Sequence, residues 1–195
     1  MAGQRWNRLR LRDEAAQLAD EQGFAAVTPS ALARRVGVTV PSLYTHVSDA
    51  KDLRVCIALL ALEEMAGSVS QALAGRAGAD ALSALANALR DYARAHPGRW
   101  DAAKMRLDDA TARDSAGPRL AALMRDALLG YDLREDDVTH AVRLVGSTVR
   151  GFVDLEGAGS FDHSAPDPGL TWVRILHSLD AQLRSWRPTD HGGTT

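Results

Sequence analysis

The stretch TPSALARRVGVTVPSLYTHV, residues 28–47, contains two helix starts on either side of a glycine. Thr28 and Thr39 can each cap a helix by accepting a hydrogen bond from an unpaired backbone N–H, and a proline follows each threonine in the first turn. Gly37 suits the left-handed backbone conformation that ends many helices. The stretch therefore predicts two short helices joined at Gly37, which is a helix-turn-helix pattern.

A longer helix is predicted before this pair, over about residues 5–22. Its apolar residues recur at helical period, and they are Leu11, Ala15, Leu18 and Ala19. Gly23 then ends the helix. This third element gives the pair a partner with which to enclose a core.

Helical periodicity continues through the rest of the chain. Further helices are predicted over about residues 50–74, 79–95, 99–108, 116–130, 136–156 and 170–186, with an irregular loop at 157–169. We therefore predict an all-α fold. It comprises an N-terminal three-helix domain over residues 1–53, a C-terminal helical domain over 54–187 and a disordered tail over 188–195.

Charge is distributed unevenly along the chain, although the net charge is only −2. Residues 1–54 hold eight Lys or Arg and six Asp or Glu, whereas the remainder holds 15 basic and 19 acidic residues. Any polyanion that binds this chain is therefore expected to bind the N-terminal part.

Several classes of protein are disfavoured by what the sequence lacks. The apolar run VCIALLAL at 55–62 is too short to span a bilayer, the N-terminus has no apolar signal region, and a lone Cys56 excludes a disulfide within the chain. The histidines lack zinc-site spacing, and no nucleophile elbow, phosphate-binding loop or dinucleotide fingerprint is present. We expect a cytoplasmic protein that is not an enzyme and has no membrane segment, metal or cofactor.

The second helix of the pair has an unusual surface. Leu43 and Val47 are four residues apart and are predicted to face the core. The other side chains would face away or lie on the flanks, and these are Pro41, Ser42, Tyr44, Thr45 and His46. Hydroxyl, phenol and imidazole groups suit contacts to phosphates and base edges in a DNA major groove. The alternative is an ordinary solvated helix face.

Residues 8–62 resemble the DNA-binding domain of the tetracycline-repressor (TetR) family of transcriptional regulators. The resemblance is carried by TPSALARRVGV at 28–38, VPSLYTHV at 40–47 and the Asp52-Leu53 pair. It implies an all-helical homodimer, most often a repressor, whose third helices enter successive major grooves of a palindromic operator. It also implies that a small molecule bound in the C-terminal domain releases the DNA.

The resemblance implies roles for individual residues. Base or phosphate contacts from the second and third helices would come from Thr28, Ser30, Thr39, Val40, Pro41, Ser42, Tyr44 and His46. The family usually has a phosphate-binding lysine where this chain has Ala50, so Lys51 or Arg54 is the candidate replacement.

The C-terminal part resembles, more loosely, the module of one branch of the family, known as the WHG type. RAHPGRW at 94–100 and VRGFVDLEGAGSF at 149–161 carry this likeness, although Arg150 stands where the branch often has histidine. A ligand cavity between the middle helices would be lined by Tyr92, Trp100, Met105, Met124 and Phe152, or these residues simply fill the core. The last two long helices are expected to form a two-fold interface.

Two other functions stay open at this point. Because Ala50 replaces the usual lysine, the chain could be a helical small-molecule-binding protein with weak or lost DNA recognition. A helical enzyme is the other class, for which the sequence offers no catalytic constellation.

Overall fold

All regular structure in the described part of the chain, residues 6–186 of a computed structural model, is helical. The α-helices are α1 Arg8–Gln22, α2 Pro29–Val36, α3 Val40–Leu43, α4 Ala50–Leu73, α5 Gly78–Ala95, α6 Pro97–Ala102, α7 Asp109–Asp114, α8 Gly117–Asp126, α9 Glu135–Gly157 and α10 Pro168–Ser185. The predicted all-α class is confirmed. The tail predicted to be disordered, 188–195, lies outside the described residues.

Packing divides the described residues into two compact units. The first holds residues 6–65 and 92–118, and the second holds 66–91 and 119–186. This division differs from the functional boundary expected at residue 53, which stays a prediction. Segment 92–118 therefore packs with the N-terminal helices although it lies far from them in the chain.

The helix-turn-helix pair forms through the predicted caps. Thr28 Oγ1 accepts a hydrogen bond from Ala31 N at 3.1 Å, and Thr39 Oγ1 accepts one from Ser42 N at 3.4 Å. Gly37 ends α2 with φ 71° and ψ 32°, the left-handed conformation that a side chain would strain. The two caps and the turn between α2 and α3 thus follow the local sequence signals.

Helix α3 is shorter than its sequence predicts. It ends at Leu43, and the next residues form turns in which His46 N bonds to the Leu43 carbonyl at 2.9 Å, an i+3 spacing. The Thr45 hydroxyl donates to the Ser42 carbonyl at 2.7 Å and so competes with the helical backbone bond for that acceptor. Val47 still reaches the core because its N–H bonds to the Leu43 carbonyl at 3.1 Å.

A guanidinium group fastens α2 to α1. Arg35 Nε donates to Glu14 at 2.9 Å, and its Nη atoms donate to Glu21 at 2.6 and 2.9 Å and to Gln17 at 3.2 Å. These bonds raise the pKa of Arg35 and lower that of Glu21. Arg35 therefore acts within the protein, since its donors are taken up by α1.

Helix α6 starts earlier than predicted and is shorter than predicted. Its expected range was 99–108, but Pro97 begins it, because proline suits the first helical position, and α7 follows as a separate short helix. Gly98 packs directly on α1: a Cβ atom at this position would lie 2.0 Å from the Ala19 carbonyl oxygen. Only glycine allows α6 to lie this close.

Buried polar contacts accompany the apolar core of the second unit. The Tyr131 hydroxyl donates to Asp180 at 2.7 Å, and Trp172 Nε1 donates to Asn87 Oδ1 at 2.7 Å. Arg90, which is only 7% exposed, forms a bidentate ion pair with Glu156. Its guanidinium carbon also lies 4.8 Å from the centre of the Trp172 ring. These contacts connect α5, α9 and α10.

Within residues 6–186, no helix combines the length and the apolar character that crossing a bilayer requires.

We expect glycine-to-alanine changes at two helical positions to have opposite effects on stability. Gly98→Ala should destabilise the protein by roughly 1–3 kcal/mol or more, because the added methyl group meets the α1 backbone. Gly67→Ala in α4 meets nothing within 4 Å. It should therefore stabilise the protein by about 0.5–1 kcal/mol through helix propensity. Urea unfolding followed by circular dichroism measures both, and a neutral Gly98→Ala would contradict the close packing.

Candidate nucleic-acid interface

The helix-turn-helix presents a continuous polar edge to solvent. Leu43 and Val47 are buried at 1% and 3% exposure, and they pack with α1 and α2 in one apolar cluster. Burying side chains of this size contributes about 1.5–3 kcal/mol each. Because these two positions face inward, Pro41, Ser42, Tyr44 and Thr45 face outward, and Tyr44 is 47% exposed.

Most of the predicted DNA-contacting side chains are exposed. Exposed side chains are those of Thr28, Ser30, Thr39, Pro41, Ser42, Tyr44 and Lys51, whereas Val40 and His46 are half-buried. His46 also lines a small hollow of about 310 Å³, together with Trp6 and Ser42. Most of the expected side chains are therefore accessible to a ligand, and their contacts to DNA stay a prediction.

The hydroxyl groups at the start of α3 are already ordered. Thr39 Oγ1 lies 3.0 Å from Ser42 Oγ, in addition to capping α3. The two side chains therefore hold each other in fixed positions before any ligand binds. A pre-ordered pair of hydroxyl groups loses less conformational entropy on binding than two free ones.

Arg8 of α1 clamps the end of the helix-turn-helix to α4. Its Nη1 donates to the His46 carbonyl oxygen at 3.0 Å and to Asp52 Oδ2 at 2.9 Å, and its Nη2 contacts Cys56 Sγ at 3.1 Å. Asp52 in turn accepts from Ser48 N at 2.8 Å. One guanidinium group thus fixes the chain on both sides of Val47.

The Arg8 clamp fixes the position of the chain around Val47 but adds little to the free energy of unfolding. Exposed ion pairs contribute roughly 0–1 kcal/mol, and the Arg8 side chain is 51% exposed. The hydrogen bond from Arg8, aided by the bond from Ser48 N, lowers the pKa of Asp52 to about 2. Sequence reasoning missed this role of Arg8, because its partners lie 38 to 48 positions away and leave no local signal.

Two basic side chains near the start of α4, Arg54 and Lys51, differ in how accessible they are to an anion. The Arg54 guanidinium carbon lies 4.3 Å from the centre of the Phe24 ring, which holds the side chain against the protein. Lys51 is exposed in the first turn of α4. An ammonium group in this position lies beside the helix N-terminus, where backbone N–H groups also favour an anion.

The five predicted ligand-lining residues fall in both units. Tyr92 and Trp100 are buried in the first unit, and Met105 packs partly against the core of α1 to α4. Phe152 is buried in the second unit, with its ring centre 5.1 Å from that of Trp172. Met124 is half-buried in the same unit. Their binding role stays a prediction.

Of these five residues, Tyr92 forms a hydrogen bond with a carboxylate of α4. Its hydroxyl donates to Glu64 Oε2 at 2.8 Å. Burial, together with this carboxylate, raises the pKa of Tyr92, so the phenol stays neutral and acts as a donor. Among the described residues, no group of three or more His, Cys, Asp or Glu side chains is arranged to hold a metal ion.

Comparison with known proteins matches both parts of the chain to family models. Residues 11–51 match the model for bacterial regulatory proteins of the tetR family, and residues 82–179 match the tetracyclin repressor-like C-terminal domain. A relative from Mycobacterium tuberculosis, the uncharacterized HTH-type transcriptional regulator Rv0681, is 34% identical over 182 residues. The match covers 90% of this chain and 79% of that protein.

Solved structures share the fold along nearly the whole chain. A TetR variant from Acinetobacter baumannii AYE in complex with minocycline has a TM-score of 0.71 at 20% identity, covering 95% of this chain and 100% of that one. BioQ with its double-stranded DNA operator has a TM-score of 0.65 at 21% identity, covering 93% and 99%. At these identities the likeness shows the fold.

The acid dependence of stability tests the Arg8 clamp. The pKa of Asp52 is about 2 in the folded protein, below the usual 3.8, so the ion pair stabilises the protein above about pH 4. This contribution should be lost as the pH falls through about 2. Urea midpoints measured at stepped pH should therefore fall more steeply for the wild type than for Asp52→Asn. Parallel curves would contradict the clamp.

Proposed function

The chain belongs to the tetracycline-repressor family of transcriptional regulators, and we propose that it is a repressor that binds a palindromic operator as a homodimer and is released by a small-molecule effector. It is a DNA-binding regulator of the helix-turn-helix class. The proposal of operator reading is carried by one observation: Leu43 and Val47 are buried while the polar side chains around them are exposed.

Operator reading would use the pre-ordered edge of α3. Ser42 and Thr39 would present hydroxyl groups to base edges, and Tyr44 would donate its phenol to a phosphate. Pro41 and the exposed part of Val40 would present apolar surface suited to thymine methyl groups. Thr28 and Ser30 lie at the N-terminus of α2, whose backbone N–H groups favour a second phosphate. His46, on the flank of the same edge, would add a contact to the phosphate backbone.

Lys51 would take the place of the family's phosphate-binding lysine. It is exposed at the start of α4, whereas Arg54 stacks on Phe24. An exposed, flexible ammonium group can follow a phosphate as a point charge. We therefore assign the phosphate contact to Lys51 in preference to Arg54.

Homodimerisation would use the outer faces of α9 and α10. Three apolar side chains on these helices are about half exposed or more: Leu155 at 50%, Leu170 at 60% and Val173 at 49%. Exposed apolar patches on a folded protein often mark the site where a partner binds. Ser147 and Gly151 precede Leu155 at four-residue intervals on the exposed face of α9, and small residues let helices approach closely. A two-fold axis here would produce a four-helix bundle from two copies.

A small-molecule effector would release the protein from its operator. A TetR variant has been solved with minocycline and BioQ with its DNA operator, and both share this fold. A ligand releases DNA only if it binds the released state better than the DNA-bound state. The effector would bind within the C-terminal domain and the regulator would act in the cytoplasm, where an operator is accessible.

The main experiment selects duplexes from a random pool with the purified protein and titrates the selected duplex at two salt concentrations. A true operator reader should recover a pseudo-palindrome and bind it with a steep salt dependence. Tyr44→Ala should lower affinity while circular dichroism keeps the helix content unchanged. Ala50 in place of the usual lysine favours the second candidate, a small-molecule-binding protein without DNA recognition. Failure to enrich any duplex would support that candidate.

We expect Lys51→Ala to reduce the salt dependence of operator binding. Loss of one phosphate contact in each head should lower the slope of log K against log salt by about two for the dimer. Affinity for unrelated duplexes should fall by a similar factor, because phosphate contacts carry no sequence information. Lys104→Ala, a lysine that pairs with Asp101 at 2.9 Å, is the charge-matched control. An unchanged slope in Lys51→Ala, together with a reduced slope in Arg54→Ala, would reverse the assignment.

We expect Leu155→Glu to dissociate the homodimer. A carboxylate placed in the centre of an apolar two-fold interface is desolvated twice, once from each copy. Sedimentation velocity should show a monomer for this variant and a dimer for the wild type. Leu129→Glu, at a leucine that is 76% exposed and lies outside α9 and α10, is the matched control and should stay dimeric. A dimeric Leu155→Glu would place the interface elsewhere.

A further inference from the structure

The segment from Tyr92 to Ala102 forms a socket around one carboxylate of α1. Asp20 Oδ1 accepts a hydrogen bond from the Arg99 backbone N–H at 2.9 Å. Arg99 is the third residue of α6, and the residue before α6, His96, makes no capping bond with its side chain. Asp20 therefore caps α6 from another helix, which is the role that an N-cap residue normally plays within its own helix.

Side chains reinforce this cap. Arg99 Nε lies 3.1 Å from Asp20 Oδ2, close enough for an ion pair although not aligned as a hydrogen bond, and His96 Nδ1 lies 3.3 Å from the same oxygen. The Asp20 side chain is 15% exposed and that of Arg99 13%. Water screens a pair at this depth less than it screens an exposed one.

A second carboxylate continues the network to α4. Glu64 accepts from Arg99 Nη1 at 3.1 Å and from the Tyr92 hydroxyl at 2.8 Å. Gly98 closes the other side of the socket, because its missing side chain lets α6 lie on the Ala19 carbonyl. Arg99 thus joins α1, α4 and α6 through one side chain.

The socket lies in the first unit, just after the helix that enters it from the second unit. Helix α5, Gly78–Ala95, begins in the second unit and ends in the first, directly before α6. Helix α4 also passes from one unit into the other. The DNA-reading head, residues 6–53, is therefore attached at two places. Helix α4 continues from it in the chain and packs on it through Leu53 and Ile57, and α6 packs on α1 through the Asp20 cap. Without the α6 attachment, packing on α4 would have to fix the direction of the head by itself.

We propose that the socket around Asp20 fixes the direction of the DNA-reading head, and that Asp20 is a positioning residue for operator binding. The inference rests on the proposed function, because direction matters only when two heads bind one duplex. Two linked heads gain affinity over one head only if both half-sites are reached at once. A rigid attachment therefore makes affinity depend strongly on the number of base pairs between half-sites.

The test compares duplexes that carry one or two half-sites of the selected operator, with the spacing changed by single base pairs. Wild-type protein should bind the selected spacing best and lose affinity at each change. Asp20→Ala should bind a single half-site like the wild type but bind the selected spacing roughly tenfold more weakly, with a flatter dependence on spacing. Fluorescence anisotropy of labelled duplexes measures all of these affinities.

Two further variants make the outcome specific. Asp13→Ala removes a carboxylate from the same helix, where it pairs with neighbouring Arg12, and should keep the wild-type spacing profile. Asp20→Asn keeps an oxygen for the Arg99 N–H but loses the charge, so it should give an intermediate profile. It also provides the same comparison if Asp20→Ala does not fold.

These affinities distinguish a failure of the socket from a failure of the proposed function. A wild-type spacing profile in Asp20→Ala or Asp20→Asn would overturn the socket, and so would a loss of half-site affinity equal to the loss on the full operator. If the wild type itself showed no preference for two half-sites, the proposed function would fail and the socket with it.

Discussion

The burial of Leu43 and Val47 against α1 and α2 is the constraint on which the candidate interface depends. Helix α3 has only four residues, too few to be stable alone, so tertiary packing must hold it. These two inward anchors turn Pro41, Ser42, Tyr44 and Thr45 outward, whereas Val40 and His46 stay half-buried. The functional surface is thus a consequence of core packing, and the Arg8 clamp then fixes where that surface ends.

Some basic side chains in the N-terminal part form ion pairs within the protein, and others remain exposed to solvent. The count of basic residues predicts a polyanion-binding region, but individual side chains divide differently. Arg35 and Arg8 bond to carboxylates within the protein, whereas Lys51 stays exposed at the edge of α4. Internal ion pairs of this kind set the angles between helices, so the number of cations overstates how many can meet a phosphate.

Local chemistry explains what could be predicted from the sequence. Caps at Thr28 and Thr39, the left-handed Gly37 and the apolar stripe of α1 are all specified by residues within one or two turns, and the structure confirms them. The end of α3, the start of α6 and the separate α7 were not predicted. In each case a proline or a side-chain bond to the backbone outweighed helical periodicity.

Long-range partners could not be predicted in the same way. Arg8 and Asp52 are 44 positions apart, and Asp20 and Arg99 are 79 apart. Nothing in single-sequence periodicity links such pairs. The RAHPGRW stretch was recognisable as a motif, but that Asp20 accepts the Arg99 N–H emerges only once α6 is packed on α1.

Exchange of DNA-binding specificity between relatives is constrained by the cap that α1 supplies to α6. A chimaera joined at residue 53 would bring in a foreign α1 while keeping the native α6, and the transplanted helix would need both an acceptor at position 20 and room for the Ala19–Gly98 approach. A graft that carried residues 92–102 along with the head would keep the two surfaces matched. The evolutionary module of recognition is therefore discontinuous in sequence, and recombination at the apparent linker would separate its halves.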